Sequence, residues 1–151
     1  MIEIKQIPKM TVASMQYFIH KATTKLINQI TEEFEKSLLK VGIPEIEYSA
    51  FFTVFHVDSF RDTNYNMELW MQVEERKGNS DNIQFKEIDE SEAAYVVTAK
   101  DYNNLSAPYI TLFNYINEKG YKLNGFPRER YLPDETTPLG FLTEIQLPFK
   151  Q

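Results

Sequence analysis

The chain has 151 residues, a length that suits one domain around a single hydrophobic core. Its 16 Lys and Arg residues face 22 Asp and Glu residues, and the net charge of −6 argues against non-specific binding to nucleic acid or to an anionic membrane. The sequence contains no cysteine, which excludes disulfides, thiolate metal sites and thiol nucleophiles. Because no segment resembles a signal peptide or reaches the roughly 20 apolar residues of a membrane span, we expect a cytoplasmic protein.

The first half of the chain predicts a strand, a helix and two further strands. Residues Met10–Tyr17 alternate between apolar and polar side chains, as a half-buried strand does. Apolar residues then recur at helical spacing between a threonine cap at 23 or 24 and Gly42. Two segments rich in β-forming residues predict strands over 48–57 and 66–74.

The same order of elements is predicted for the second half. A polar, turn-forming segment over 75–91 is interpreted as the connection between the halves. A strand is predicted over 93–99 and a helix over 105–120, where a glycine ends it. Two last strands are predicted over 126–132 and 141–149.

The two halves therefore share a β-α-β-β order. This order predicts one domain, residues 1–151, built from two pseudo-repeats over about 8–76 and 90–149. Glu68 in the last strand of the first half aligns with Glu144 in the second, and both are predicted to face solvent. Joining the halves would leave a cleft between them.

Motifs of familiar catalytic and cofactor sites are missing from the sequence. It has 5 glycines and neither a glycine-rich phosphate loop nor a nucleophile elbow. The two histidines, His20 and His56, are far apart and are interpreted as surface or strand residues rather than metal ligands. We therefore expect no metal and no other cofactor.

The predicted strand over 126–132 carries the strongest candidate for a functional group. Alternation places Glu129 and Tyr131 on one face of this strand and Arg128 and Arg130 on the other. A carboxylate on an aromatic surface can bind a cationic ligand or, when desolvated, act as a general base with a raised pKa. The alternative interpretation is a solvent-facing Arg-Glu-Arg edge strand.

Aromatic residues are predicted to line the cleft. The sequence has 11 Phe and 9 Tyr residues, whose rings suit flat or lipophilic ligands and complement cations. The candidates are Tyr17, Phe51, Phe55, Trp70, Tyr102, Tyr109, Tyr131 and Phe141.

Several segments of the second half resemble the GyrI-like small-molecule-binding family, which includes the effector-binding domains of multidrug-sensing transcription regulators. These segments are 101–109, 115–116, 119–121, 125–132 and 142–148. The resemblance implies an α+β fold in which duplicated β-α-β-β units form a curved antiparallel sheet with two main helices and a central ligand cleft. It also implies that Glu129 is the buried glutamate of the pocket, and that Tyr102 and Phe141 belong to its aromatic walls.

Three functions follow from these observations. The first is a stand-alone small-molecule-binding protein, without the DNA-binding segments of the regulators, that holds a lipophilic and optionally cationic ligand with Glu129 as charge partner. The second is a hydrolase of small electrophiles, in which Glu129 is the general base and Tyr131 or Tyr102 assists. The third is a protein-interaction module that resembles a gyrase inhibitor and whose acidic surface meets a basic partner. No pattern in the sequence predicts the oligomeric state.

Overall fold

A computed structural model describes residues 1–78, 80, 82–99 and 105–151 of the chain. The strands are β1 (Glu3–Ile7), β2 (Met10–Lys21), β3 (Phe51–Phe55), β4 (Thr63–Val73), β5 (Gln84–Ile88), β6 (Ser91–Thr98), β7 (Lys122–Leu123), β8 (Arg128–Pro133) and β9 (Phe141–Lys150). The helices are α1 (Thr24–Lys40) and α2 (Ser106–Lys119), and a short 3-10 turn covers Tyr48–Ala50.

Both predicted helices are confirmed, and local chemistry explains their ends. The Thr23 side chain caps α1 by accepting a hydrogen bond from the Leu26 amide at 3.1 Å. Helix α2 ends at Gly120, which adopts the left-handed conformation with φ 71°. A glycine is favoured there because a side chain would strain this backbone.

The strands form a single antiparallel sheet that curls into a half-barrel. Its order is β1-β6-β9-β8-β3-β4-β2-β5, and β7 pairs with β9 beside this path. Strand β8 lies between β9 and β3, so the interpretation of Arg128–Arg130 as an edge strand is wrong. The predicted α+β class, with a curved antiparallel sheet and two helices, is confirmed.

The edges of the sheet differ from the prediction. Strand β5 lies within the segment that was interpreted as a connection, and β1 precedes the first predicted strand. In β5 the one fully buried side chain is Phe85, at 3% exposure, and polar residues flank it. A five-residue strand at an edge needs little apolar sequence, because only one of its faces packs on the core.

The two faces of the sheet are unequal. Both helices pack on one face and form the main core, in which Phe34 of α1 and Leu112 of α2 are fully buried. The opposite face carries a smaller cluster made of Met10, Val12, Phe52, Val54 and Trp70.

The two halves of the chain follow the same order of elements, β2-α1-β3-β4 and β6-α2-β8-β9, while the two pseudo-repeats themselves stay a prediction. In the described parts of the chain, neither helix combines the length and hydropathy needed to cross a membrane.

Candidate functional site

A cavity of about 890 Å³ lies on the helix-packed face of the sheet, where the two halves of the chain meet. Helix α1 contributes Ile27 and Ile30 to its wall, and α2 contributes Tyr109. Strands β3, β4 and β8 form the floor of the cavity, and Phe141 at the start of β9 closes one side. This volume is in the range of sites for drug-sized molecules.

Strand alternation decides which residues of the floor reach the cavity. In β3 the side chains of Phe51, Thr53 and Phe55 line it, whereas those of Phe52 and Val54 belong to the cluster on the opposite face. In β8 the lining residues are Glu129, Tyr131 and Pro133. The predicted alternation over 126–132 therefore places the carboxylate and the aromatic ring together, as expected.

Glu129 is the buried acidic residue of the cavity, with 2% of its surface exposed, whereas Asp62 in the cavity wall is exposed. The Tyr109 hydroxyl donates a hydrogen bond to Glu129 Oε2 at 2.6 Å, and the Tyr131 hydroxyl donates to Oε1 at 3.1 Å. Thr53 Oγ1 lies 2.8 Å from the Tyr131 hydroxyl and extends this network. No Lys, Arg or His in the described ranges forms an ion pair with Glu129.

This environment raises the pKa of the Glu129 carboxyl group into the neutral range. Burial raises the pKa of Glu129 from 4.5 to about 7, although the hydrogen bonds from Tyr109 and Tyr131 lower it in part. Burial, and then the charge of Glu129, raises the pKa of Tyr109 well above its ordinary value, so Tyr109 stays a donor. The site can therefore accept either a positive charge or a proton.

Aromatic rings in contact with one another surround the carboxylate. Phe51 and Tyr131 stack with ring centroids 5.9 Å apart, and Phe141 meets Tyr131 edge-on at 5.5 Å. Phe55 meets Tyr109 edge-on at 6.0 Å. The faces of such rings attract cations as well as lipophilic groups.

Six of the residues predicted for the site line this cavity: Glu129, Tyr109, Tyr131, Phe51, Phe55 and Phe141. Tyr102 lies outside the described residues. Tyr17 is absent from the cavity wall, and its hydroxyl lies 3.7 Å from Met15 Sδ.

Trp70 also lies away from the cavity, so its prediction as a pocket residue is wrong. Its indole Nε1 donates a hydrogen bond to Glu68 Oε1 at 3.1 Å on the opposite face of the sheet. The alternation of β4 explains this placement, because Met67 and Leu69 point into the cavity and Trp70 must then point away.

The prediction that Glu68 and Glu144 face solvent is wrong as well, since each is 3% exposed. Glu68 pairs with Lys86 of β5 and accepts a hydrogen bond from His56 Nε2 at 2.5 Å. Glu144 pairs with Lys5 of β1, and Arg130 Nη1 of β8 lies 3.8 Å from Glu144 Oε2. Lys86 and Lys5 both belong to edge strands that were not predicted. The pairing of the buried carboxylates with these two lysines could therefore not be inferred from the sequence.

The sequence interpretation missed several lining residues, among them Thr53, Tyr65, Met67 and Leu69. The alternation of β4 contained the signal for three of these, because Tyr65, Met67 and Leu69 share one face of the strand.

The two histidines form hydrogen bonds away from the cavity: His20 with Asn64, and His56 with Glu68. Across the described ranges, no group of three His, Asp or Glu side chains is arranged to hold a metal ion.

Residues 1–150 match the GyrI-like small molecule binding domain, and the chain belongs to this family. The crystal structure of the EcmrR C-terminal domain is 27% identical, with a TM-score of 0.81, and the match covers 100% of this chain and 98% of that chain. EcmrR in its complex with DNA, solved by cryo-EM, is 24% identical with a TM-score of 0.85, and there the match covers 100% of this chain and 57% of that chain.

Two more distant structures share the fold alone. A hydrolase from Listeria innocua is 10% identical with a TM-score of 0.61, and the match covers 99% of this chain and 91% of that chain. SAV2435 bound to tetraphenylphosphonium is 13% identical with a TM-score of 0.58, with coverage of 99% and 94%. No curated protein matches the chain.

Proposed function

We propose that this small-molecule-binding domain holds a lipophilic organic cation in its aromatic cavity, with Glu129 as the negative partner. The observation that carries the proposal is a carboxylate with 2% exposure that lines the cavity and has no ion-pair partner among the described residues. An unpaired buried carboxylate is costly when ionised, and a bound cation would remove that cost.

The rings around Glu129 support the same class of ligand. Phe51, Phe55, Tyr131 and Phe141 supply lipophilic surface and π-faces in one cavity. A cation desolvated by such rings gains more from them than it would at an exposed site. SAV2435, whose fold is similar, is described as bound to tetraphenylphosphonium, which makes this cation a suitable first ligand to test.

The test is calorimetric titration of the protein with tetraphenylphosphonium and with the neutral triphenylphosphine oxide, at pH 8. We expect Glu129→Gln to weaken binding of the cation about 10-fold or more, because a charge-assisted contact is replaced by a neutral one. Binding of the neutral compound should change little. Glu118→Gln, which removes an exposed negative charge from α2, serves as the matched control.

Equal affinity of wild type and Glu129→Gln for tetraphenylphosphonium would remove the charge role from Glu129. If neither compound binds the wild-type protein, the proposal of a lipophilic ligand fails and a protein partner becomes the better hypothesis. Melting temperatures of the three proteins show whether each variant is folded.

The state of Glu129 also supports a second candidate function, the hydrolysis of a small electrophile. A carboxylate with a pKa of about 7 in a cavity suits a general base. In this reaction Glu129 would accept a proton from a water molecule while the oxygen of that water attacks the electrophilic carbon. Tyr131 would donate a proton to the oxygen that leaves this carbon. Conversion of styrene oxide to its diol by wild type, and not by Glu129→Gln, would support this function; binding without product would exclude it for this substrate.

A further inference from the structure

We propose that the hydroxyl of Tyr65 is a second polar contact for the ligand of this cavity, and that the ligand class is therefore a lipophilic cation that also carries a hydrogen-bond acceptor, such as a carbonyl oxygen. This inference rests on the proposed function and narrows it.

Tyr65 occupies the wall of the cavity and is 6% exposed. It projects from β4 on the same face as Met67 and Leu69, and its ring packs against Phe55 with centroids 5.8 Å apart. These contacts fix the ring, so its hydroxyl has a defined position in the cavity.

The hydroxyl of Tyr65 is distinct from the other polar groups at the base of the cavity. Glu129, Tyr109, Tyr131 and Thr53 all hydrogen-bond within one network. Tyr65 forms no hydrogen bond with any residue in the described parts of the chain. The hydroxyl oxygen of Tyr65 also keeps some solvent-accessible surface. Among the described residues, Arg128 Nη2 is the only side-chain N or O atom that is both fully buried and without a hydrogen-bond partner.

A largely buried donor without a partner costs free energy unless water or a ligand satisfies it. Burial, together with the negative charges of Glu129 and Asp62, raises the pKa of Tyr65 to about 12. Tyr65 therefore keeps its proton at neutral pH and acts as a donor. Tyr65 and Glu129 both line the cavity, so one molecule can contact both.

The test uses matched tetraphenylphosphonium cations in which one of the four rings carries either an acetyl group or the similarly shaped isopropyl group. The substituent is placed at the ortho, meta or para position. Dissociation constants are measured by calorimetry for wild type, Tyr65→Phe and Tyr121→Phe. Tyr121 stacks on Phe149 outside the cavity and controls for the loss of a tyrosine hydroxyl.

For at least one position, wild type should bind the acetyl compound about 3- to 10-fold more tightly than its isopropyl partner. Tyr65→Phe should abolish this preference by weakening the acetyl compound alone, whereas Tyr121→Phe should retain it. The melting temperature of Tyr65→Phe should be unchanged or higher, because the substitution removes a donor that has no hydrogen-bond partner among the described residues.

Wild-type binding of all these cations without an acetyl preference would overturn the role of Tyr65, as would a preference that survives in Tyr65→Phe. Both results would leave the proposed cation site intact. Failure of every phosphonium to bind wild type would instead contradict the proposed function itself, and the inference would fall with it.

Discussion

Thr53 and Glu129 lie directly opposite each other in the antiparallel pair of β3 and β8, and both side chains enter the cavity. Tyr131 connects them, because its hydroxyl reaches Thr53 Oγ1 at 2.8 Å and Glu129 Oε1 at 3.1 Å. The carboxylate is thus positioned by residues from both halves of the chain. Substitution of Thr53 in the first half or of Tyr131 in the second half is therefore expected to alter the position of the Glu129 carboxylate.

The first prediction concerns stability. The pKa of Glu129 is raised from 4.5 to about 7 in the folded protein. Below pH 4.5 the group is protonated in both states; between these values the unfolded chain releases a proton that the folded protein retains. The free energy of unfolding should therefore fall as pH rises through this window, by roughly 3 kcal/mol in total, and stay level above it.

Glu129→Gln should remove this fall, and urea unfolding at pH 5 and pH 8 measures it. The stability of the variant relative to wild type should be greater at pH 8 than at pH 5. A difference between the two proteins that does not vary with pH would show that Glu129 titrates near its ordinary value in the folded state.

The second prediction concerns the pH dependence of binding. Affinity for tetraphenylphosphonium should rise with pH and level off above about 7, because the cation favours the ionised carboxylate. Tyr109→Phe removes a hydrogen bond that lowers the pKa of Glu129, so the midpoint of this rise should move to higher pH. Calorimetry from pH 5.5 to 9 follows the midpoint.

The matched control for Tyr109→Phe is Tyr115→Phe, a half-buried tyrosine on the same helix that is not part of the cavity wall. Its midpoint should equal that of wild type. A midpoint in Tyr109→Phe that is unchanged, or moved to lower pH, would contradict the role given to the Tyr109 hydroxyl.

The third prediction concerns the face of the sheet opposite the cavity. Burial alone would raise the pKa of Glu68, but hydrogen bonds from Lys86, His56 and Trp70 lower it overall. Glu68→Gln should destabilise the fold by about 1–3 kcal/mol, because three donors lose a charged acceptor. The stabilisation by Glu68 should be present above its ordinary pKa and be lost as the pH falls through the lower, folded value.

Chemical denaturation at pH 7 measures this effect, with Glu87→Gln as its control. Glu87 pairs with Lys9 at 3.4 Å, but both side chains are more than half exposed, and such pairs contribute little. Similar losses in the two variants would show that the burial of Glu68 has no energetic consequence.

The fourth prediction concerns the end of α2. Gly120→Ala should cost about 1 kcal/mol, because alanine is strained at φ 71° while no atom obstructs its Cβ. Gly78→Ala, where φ is not positive and space is also open, should lie within about 0.5 kcal/mol of wild type. Thermal unfolding compares the two; equal melting temperatures would contradict the strain argument.

Most of the fold was accessible from the sequence because its larger elements have clear periodicity. Helix α1 has a threonine cap and an apolar face, and α2 ends at a glycine, so both were predicted close to their observed bounds. Strands β1, β5 and β7 were missed because their pairing to distant strands, and not their local composition, holds them in the sheet. Short edge strands carry too few apolar residues to be distinguished from a polar connection.

The site was accessible in part for a related reason. Alternation within a single strand was enough to place Glu129 and Tyr131 on one face. The face that Trp70 occupies depends on which side of β4 meets the helices, and alternation within one strand does not decide that side. The buried positions of Glu68 and Glu144 depend on lysines 18 and 139 residues away, a separation that local patterns do not encode.

The seam between β3 and β8 is short: Phe52, Thr53 and Val54 pair there with Arg130, Glu129 and Arg128. The cavity lies over this seam, and its floor takes Phe51 and Thr53 from one side and Glu129 and Tyr131 from the other. A ligand in contact with all four residues would bridge this short seam, and we expect it to restrain the angle between the two half-sheets.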